Sequence, residues 1–115
     1  MIKYNKDNKL ILSEKVLHRF FKKVIIPENK SECWGWSASH HHSGYAKFDT
    51  WESPHNTAHR IIYELEVGKI EKGLVIDHLC CNRGCVNPLH LETVTNSENL
   101  RRSSTLSRHD GYCKN

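Results

Sequence analysis

The sequence predicts a small α+β domain, and three observations carry that reading. Val16, Leu17, Phe20, Phe21 and Val24 recur at helical spacing. Cys33-Trp34-Gly35-Trp36 and Gly44-Tyr45-Ala46-Lys47-Phe48 look like two strands on either side of a His-rich turn. The last third of the chain then runs strand, long loop, strand, helix, over residues 74–102.

The elements follow in order. Residues 1–12 are a polar start with a short strand at Lys9-Leu10-Ile11-Leu12. Ser13 followed by Glu14 opens an N-terminal helix, and Pro27 ends it. Lys22 and Lys23 face solvent or a polyanion. The turn His40-His41-His42-Ser43-Gly44 joins the two strands into a β-hairpin. Consecutive turn residues do not converge on one ion, so these histidines read as solvated. Trp51 to Asn56 is a loop containing Pro54. Ala58 to Val67 reads as a helix with Ile61, Ile62 and Leu65 on one face and Gly68 as its stop. Leu74-Val75-Ile76 is an apolar strand that runs into Asp77-His78. Leu91-Glu92-Thr93-Val94 alternates like its partner. Thr95 caps a final helix, Glu98 completes a capping box, and Asn99 falls in the first turn. The tryptophans read as core.

The chain has 115 residues, which suits a single domain spanning 1–115. A domain this short buries only about two-thirds of its unfolded surface, so a metal staple is useful. The formal charge of +4 permits a polyanionic partner without demanding one. No apolar run approaches the roughly 18 residues needed to span a bilayer, and no secretory signal core follows the N-terminus. The expectation is therefore a cytoplasmic protein with no membrane partner. Five cysteines near histidines then point to zinc rather than disulfides.

Cys80-x4-Cys85-x4-His90, with Cys33 at the start of a nearby strand, offers four donors for tetrahedral zinc. Cys81 competes with Cys80 on spacing alone, since both gaps to Cys85 suit the metal. Pro88 stiffens the approach of His90. His109 and Cys113 are too few for a second site.

Asp77-His78, Asn87-Pro88-x-His90-Leu91 and Asn99 match the pattern of the HNH endonucleases, which the chain resembles. Cys33, Cys80, Cys85 and His90 resemble the first zinc site of the His-Cys box homing endonucleases, in the same ββα-metal (His-Me finger) superfamily. Trp34-Gly35-Trp36, Gly44-Tyr45 and His59-Arg60 resemble the phage-type HNH proteins. The likeness runs from about Phe20 to Arg102, and the second zinc site of the His-Cys box pattern is incomplete. The resemblance implies a phage-encoded nuclease acting in the host cytoplasm, leaving 5′-phosphate and 3′-hydroxyl ends.

Elementary chemistry assigns roles in the same direction. A neutral imidazole suits the removal of a proton from water, which fits His78 as general base. A hard cation such as Mg2+, with Mn2+ or another divalent ion as substitute, takes oxygen donors, which fits Asp77 and Asn99. By resemblance, Asn87 braces the loop and orients His78, and Arg60 contacts the scissile phosphate. The leading function is a metal-dependent DNA endonuclease with structural Zn2+ and catalytic Mg2+. The alternative is a zinc-stabilised DNA-binding module without cleavage activity, and a third reading is a zinc-built protein-interaction domain. One active site makes one strand cut, so double-strand cleavage calls for a homodimer or a second encounter. The nuclease reading needs residues 78 and 99 close together and reachable by solvent.

Overall fold

Ser13 starts helix α1 (Glu14–Phe21) as the sequence requires: its hydroxyl accepts the Val16 N–H at 3.4 Å. This is a computed structural model, and it describes residues 2–99. The helix ends at Phe21, earlier than Pro27, where the Lys22 N–H donates to the His18 carbonyl and the Lys23 N–H to the Phe20 carbonyl, each at 3.0 Å. The β-branched pair Val24-Ile25 prefers extended backbone, and it forms strand β3 (Val24–Ile25) instead of a last helical turn.

Ahead of α1, strand β1 (Lys3–Tyr4) pairs antiparallel with β2 (Leu10–Ile11), so the expected strand at 9–12 has a partner the polar start did not announce. Strand β4 (Gly35–Trp36) corrects a larger expectation. Its partner is β3, with Val24 opposite Trp36, and not the segment at 44–48. That segment folds back on the His-rich turn instead, through the bridge between His40 and Ala46 and the bonds from the His41 N–H to the Tyr45 carbonyl and the Lys47 N–H to the Ser39 carbonyl, and a bridge between Lys47 and Thr57 joins it to the start of the next helix.

The β3/β4 pairing sets Trp36 against Phe20, ring centroids 5.1 Å apart, with Phe48 also 5.1 Å from Phe20. Leu10, Leu12, Ala46, Ala58, Ile61, Ile62, Ile76, Val86 and Leu91 complete the buried cluster. Each large side chain buried this way contributes about 1.5–3 kcal/mol. Helix α2 (Ala58–Glu66) presents Ala58, Ile61 and Ile62 inward. Its Thr57 cap makes no side-chain bond. Instead the Ala58 N–H donates to the Ala46 carbonyl at 2.9 Å, which ties the start of α2 to the 44–48 segment.

Strand β5 (Leu74–His78) pairs antiparallel with β6 (Leu91–Thr95), from Leu74 opposite Thr95 to His78 opposite Leu91. A 3-10 turn at Pro88–His90 feeds β6. Residues 96–99 are helical, and Thr95 Oγ1 accepts the Glu98 N–H at 3.1 Å, the cap that the sequence announces. Among the described residues no helix is long and apolar enough to cross a membrane. Arg101, Arg102, Arg108, His109 and Cys113 lie outside the described residues.

Candidate metal centre and histidine stack

Two turns build a four-donor group between β5 and β6. The Asn82 carbonyl accepts the Cys85 N–H at 3.0 Å and its side-chain oxygen accepts the Gly84 N–H at 3.0 Å, which folds Cys80 and Cys85 towards one another. The Val86 N–H donates to the Trp34 carbonyl at 2.9 Å, bringing Cys33 alongside. As a result one ligand atom each from Cys33, Cys80, Cys85 and His90 falls within 4.8 Å of every other.

The geometry suits a tetrahedral ion. Metal–sulfur and metal–nitrogen bonds of about 2.3 and 2.0–2.1 Å imply a sulfur–nitrogen edge of about 3.6 Å. His90 Nδ1 lies 3.6 Å from Cys33 Sγ and 3.5 Å from Cys85 Sγ. The other ring nitrogen, Nε2, is 2.7 Å from the Ser31 carbonyl, which can only accept. Nε2 therefore carries the proton, and the Nδ1 lone pair faces the sulfurs, the usual outer partner of a metal-bound imidazole. The spacing left Cys80 and Cys81 open, and the structure selects Cys80. Cys81 sits in the left-handed region, with φ of 60°, at the bend.

The sulfurs divide their protons unequally. The Cys85 contact, ahead of the Asn82 carbonyl, Cys33 and His90, holds the Cys80 thiol down to about 4 despite burial. That same contact together with burial pushes Cys85 up, and burial pushes Cys33 up. The group thus favours one thiolate before any ion binds.

Asn87 braces this loop. Its amide donates to the Lys30 and Glu32 carbonyls at 3.1 and 2.8 Å, and its oxygen accepts the Leu89 N–H at 2.9 Å. The bond that orients His78 comes from two residues earlier, where the Cys85 carbonyl lies 3.1 Å from His78 Nε2. A carbonyl accepts, so Nε2 is the protonated nitrogen and the neutral ring carries its lone pair on Nδ1.

His78 is packed in a column of rings. Its centroid lies 4.7 Å from His59 and 5.8 Å from Tyr45, and Tyr45 stacks on His59 at 4.9 Å. Burial, followed by the nearby charges of His78, Arg60 and His55, lowers His59 to about 2, so its ring is neutral. His59 Nδ1 is buried with no hydrogen-bond partner among the described residues. The imidazole of His78 is not open: it is 5% exposed, and Asp77 is 4% exposed. Asp77 sits opposite Glu92 and, by the alternation of a strand, points to the face away from His78. Asn99 is half-buried at the last described position of the helical stretch. Arg60 lines an open groove of about 510 Å3 with His41, His42, Tyr45, Asn56 and Thr57.

Residues 56–101 match the family model described as HNH endonuclease. They form an HNH-family domain. Across 53 residues the chain is 36% identical to "Uncharacterized gene 5.3 protein" of Enterobacteria phage T3, covering 46% of this chain and 52% of that protein. Across 102 residues it is 32% identical to "Protein 2.8" of Escherichia phage T7, covering 88% of this chain and 66% of that one. The chain thus spans between half and about two-thirds of the curated relatives it matches. No solved structure matches it.

The HNH match takes in α2, β5, the ligand loop, β6 and the start of the last helix. Cys33 and Tyr45 lie before it, so both the metal group and the ring column join the HNH domain to the preceding chain. Sequence reasoning missed His59 and Tyr45 as neighbours of His78. The helical face of α2 held the signal, since His59 lies one position after the buried Ala58 and two before Ile61.

Proposed function

We propose that the protein is a metal-dependent DNA endonuclease in which His78 is the general base. The observation that carries this is the 3.1 Å bond from His78 Nε2–H to the Cys85 carbonyl. It fixes the tautomer with Nδ1 as acceptor and hangs the base on the same loop that carries two metal donors. In the proposed reaction His78 Nδ1 takes a proton from water as the water oxygen bonds to phosphorus. The bond from phosphorus to the 3′-oxygen breaks, and that oxygen takes a proton from solvent water to leave as a hydroxyl.

Cys33, Cys80, Cys85 and His90 fit zinc as a structural ion, by donor type and by their sulfur–nitrogen spacing. Asp77 and Asn99 carry the oxygen donors of a hard cation such as Mg2+, whose chemistry is to neutralise charge on the departing oxygen. Asn87 holds the loop, and Arg60, beside the Tyr45 groove, is assigned to a substrate phosphate. DNA is the partner, and a homodimer is one route to cutting both strands.

One observation favours the second reading, a zinc-built DNA-binding module without cleavage. His78 and Asp77 are 5% and 4% exposed, so the substrate must reach a nearly covered edge. Catalysis needs one nitrogen of the ring to meet water, so the nuclease reading requires that edge to open on binding DNA. Supercoiled plasmid incubated with Mg2+ separates the two. The nuclease converts it to nicked or linear product and the His78→Ala variant does not. Retention of DNA without cleavage by either protein, in Mg2+ and in Mn2+, leaves the binding module.

A further inference from the structure

Among the described residues no carboxylate lines the groove of about 510 Å3 beside Arg60. A second groove, of about 800 Å3, gives the contrast, since it sets Lys15 and Arg19 against Asp49 and Glu52. Trp51 in that second groove is 93% exposed, against the expectation that the tryptophans are core, but the balanced charges around it select no ligand.

Arg60 is half-buried and has no hydrogen-bond or ion-pair partner among the described residues, and its Nε is fully covered. A guanidinium keeps its charge at any ordinary pH, so a covered one without a partner carries a cost that a bound anion removes. Thr57 Oγ1 is likewise covered and without a partner. Thr57 stands at the cap position of α2 yet makes no side-chain bond to the helix. The first turn of α2 holds no acidic residue, so nothing offsets the positive end of the helix beside Arg60.

The His-rich turn supplies the opposite wall. His41 Nε2–H donates to the Asn56 carbonyl at 3.0 Å, which ties the turn to the residue before Thr57. Arg83 Nη1 donates to the Ser43 carbonyl at 3.1 Å, and its guanidinium lies 5.7 Å over the Tyr45 ring. Ser43 and Tyr45 both line the groove, so the ligand loop brings a second guanidinium to its edge. His42 lines it too and is exposed. Guanidinium, imidazole and hydroxyl donors without a carboxylate are the chemistry of an oxyanion site.

His78, Asp77 and Asn99 do not line this groove. Tyr45 does, and its ring lies 5.8 Å from the His78 ring. An anion seated on Arg60 is therefore beside the base but not at it. We infer that the groove seats a DNA backbone phosphate next to the one under attack, with Arg60 as anchor, Thr57 and His42 as further donors and Arg83 at the edge. The inference rests on the endonuclease reading above. It moves Arg60 from the scissile phosphate, where the family resemblance put it, to a neighbouring one.

The test has two arms, both on duplex DNA. In the first, binding to the His78→Ala protein is measured across a salt series, with Arg60→Gln, Thr57→Val, His42→Ala or Lys15→Ala added. Arg60→Gln should weaken binding at least about tenfold and lower the slope of log Kd against log salt by about one. Thr57→Val and His42→Ala should each weaken it about two- to fivefold. Lys15→Ala, from the charge-balanced groove, should change it by less than about twofold. In the second arm, single-turnover cleavage at saturating DNA and Mg2+ should stay within about threefold of the parent in Arg60→Gln, as expected of a contact that binds without serving the transition state alone. Thr57→Val removes no cap bond, so it should melt with the parent, and it carries the first arm should Arg60→Gln unfold.

Binding and slope unchanged in Arg60→Gln, or binding unchanged in both Thr57→Val and His42→Ala, overturns the subsite and leaves the DNA reading standing. A saturated rate that falls in Arg60→Gln as far as in His78→Ala returns the arginine to the scissile phosphate and also overturns it. A parent that binds DNA without cutting it overturns the endonuclease reading, and with it any phosphate for this one to adjoin. No DNA binding by the parent overturns both.

Discussion

The rings of His59 and His78 lie 4.7 Å apart, and the first of them is held neutral by burial at the start of α2. A neutral, packed neighbour limits how far the His78 ring can swing, while the Cys85 carbonyl fixes its tautomer. Removing the His59 ring by His59→Ala should cost about 2–4 kcal/mol of stability, as other large-to-small changes in a core do, and should slow cleavage. His59→Phe, which keeps a ring in the column, should retain more of both. Thermal melts and single-turnover cleavage of the two variants check this.

Acid should weaken the fold through the same residue. His59 titrates near 2 when folded and near 6.5 when not, so between those values the unfolded chain binds the extra proton. Its contribution is whole above pH 6.5 and falls away as the pH drops below it, by at most about 1.4 kcal/mol per pH unit. Denaturant melts between about pH 7 and 5 should show this slope in the parent and a shallower one in His59→Gln.

Glu64 anchors the N-terminal hairpin to α2. Its buried carboxylate accepts from Tyr4 Oη at 2.8 Å and the Ile70 N–H at 2.9 Å, and lies 3.2 Å from His55 Nε2. Burial alone would raise it, but the His55, Ile70 and Tyr4 contacts outweigh burial and draw it below its ordinary value. A depressed carboxyl stabilises above its unfolded value of 4.5, and that stability goes as the pH falls through the folded value. Glu64→Gln should cost about 1–3 kcal/mol near neutral pH and flatten the melting profile below that value. Chemical denaturation across the acid range measures both effects.

Metal removal should unfold the ligand loop. The parent should hold one zinc per chain and release protons on loading, because Cys33 and Cys85 are driven towards the thiol before binding. Cys33→Ser should lose the ion and lower the melting temperature without altering the residue whose carbonyl holds His78. Metal analysis beside calorimetry reads the outcome, and unchanged stoichiometry in Cys33→Ser would remove that residue from the ligand set.

The ligand loop was legible because donor chemistry at short spacing leaves few arrangements, and the chain brings Cys33, Cys80, Cys85 and His90 together as the spacing implied. Cys80 and Cys81 were not separable that way, since Cys81 is held in a disulfide, against the expectation that the cysteines serve zinc, and Cys80 alone joins the group. Strands β5 and β6 were legible from the apolar run Leu74-Val75-Ile76 and the alternation of Leu91-Glu92-Thr93-Val94. The pairing of β4 with β3 was not, because strands of two residues carry no period to read. The start of α1 was written in its cap, whereas its end was set by the extended preference of Val24-Ile25. His59 and Trp51 were misread for a common reason. Pattern says which face of an element is apolar, but not which ring meets a histidine from another element or which loop turns an indole to water.

The central claim is that His78, held through Nε2 by the Cys85 carbonyl, removes the proton from the attacking water. The most direct measurement is the single-turnover rate of plasmid strand cleavage with saturating Mg2+, for the parent and His78→Ala in parallel. A loss of about 10²–10⁴-fold in the variant, with DNA binding and zinc content unchanged, is the predicted result. Equal rates in the two proteins, or a parent that binds DNA and never cuts it, would contradict it.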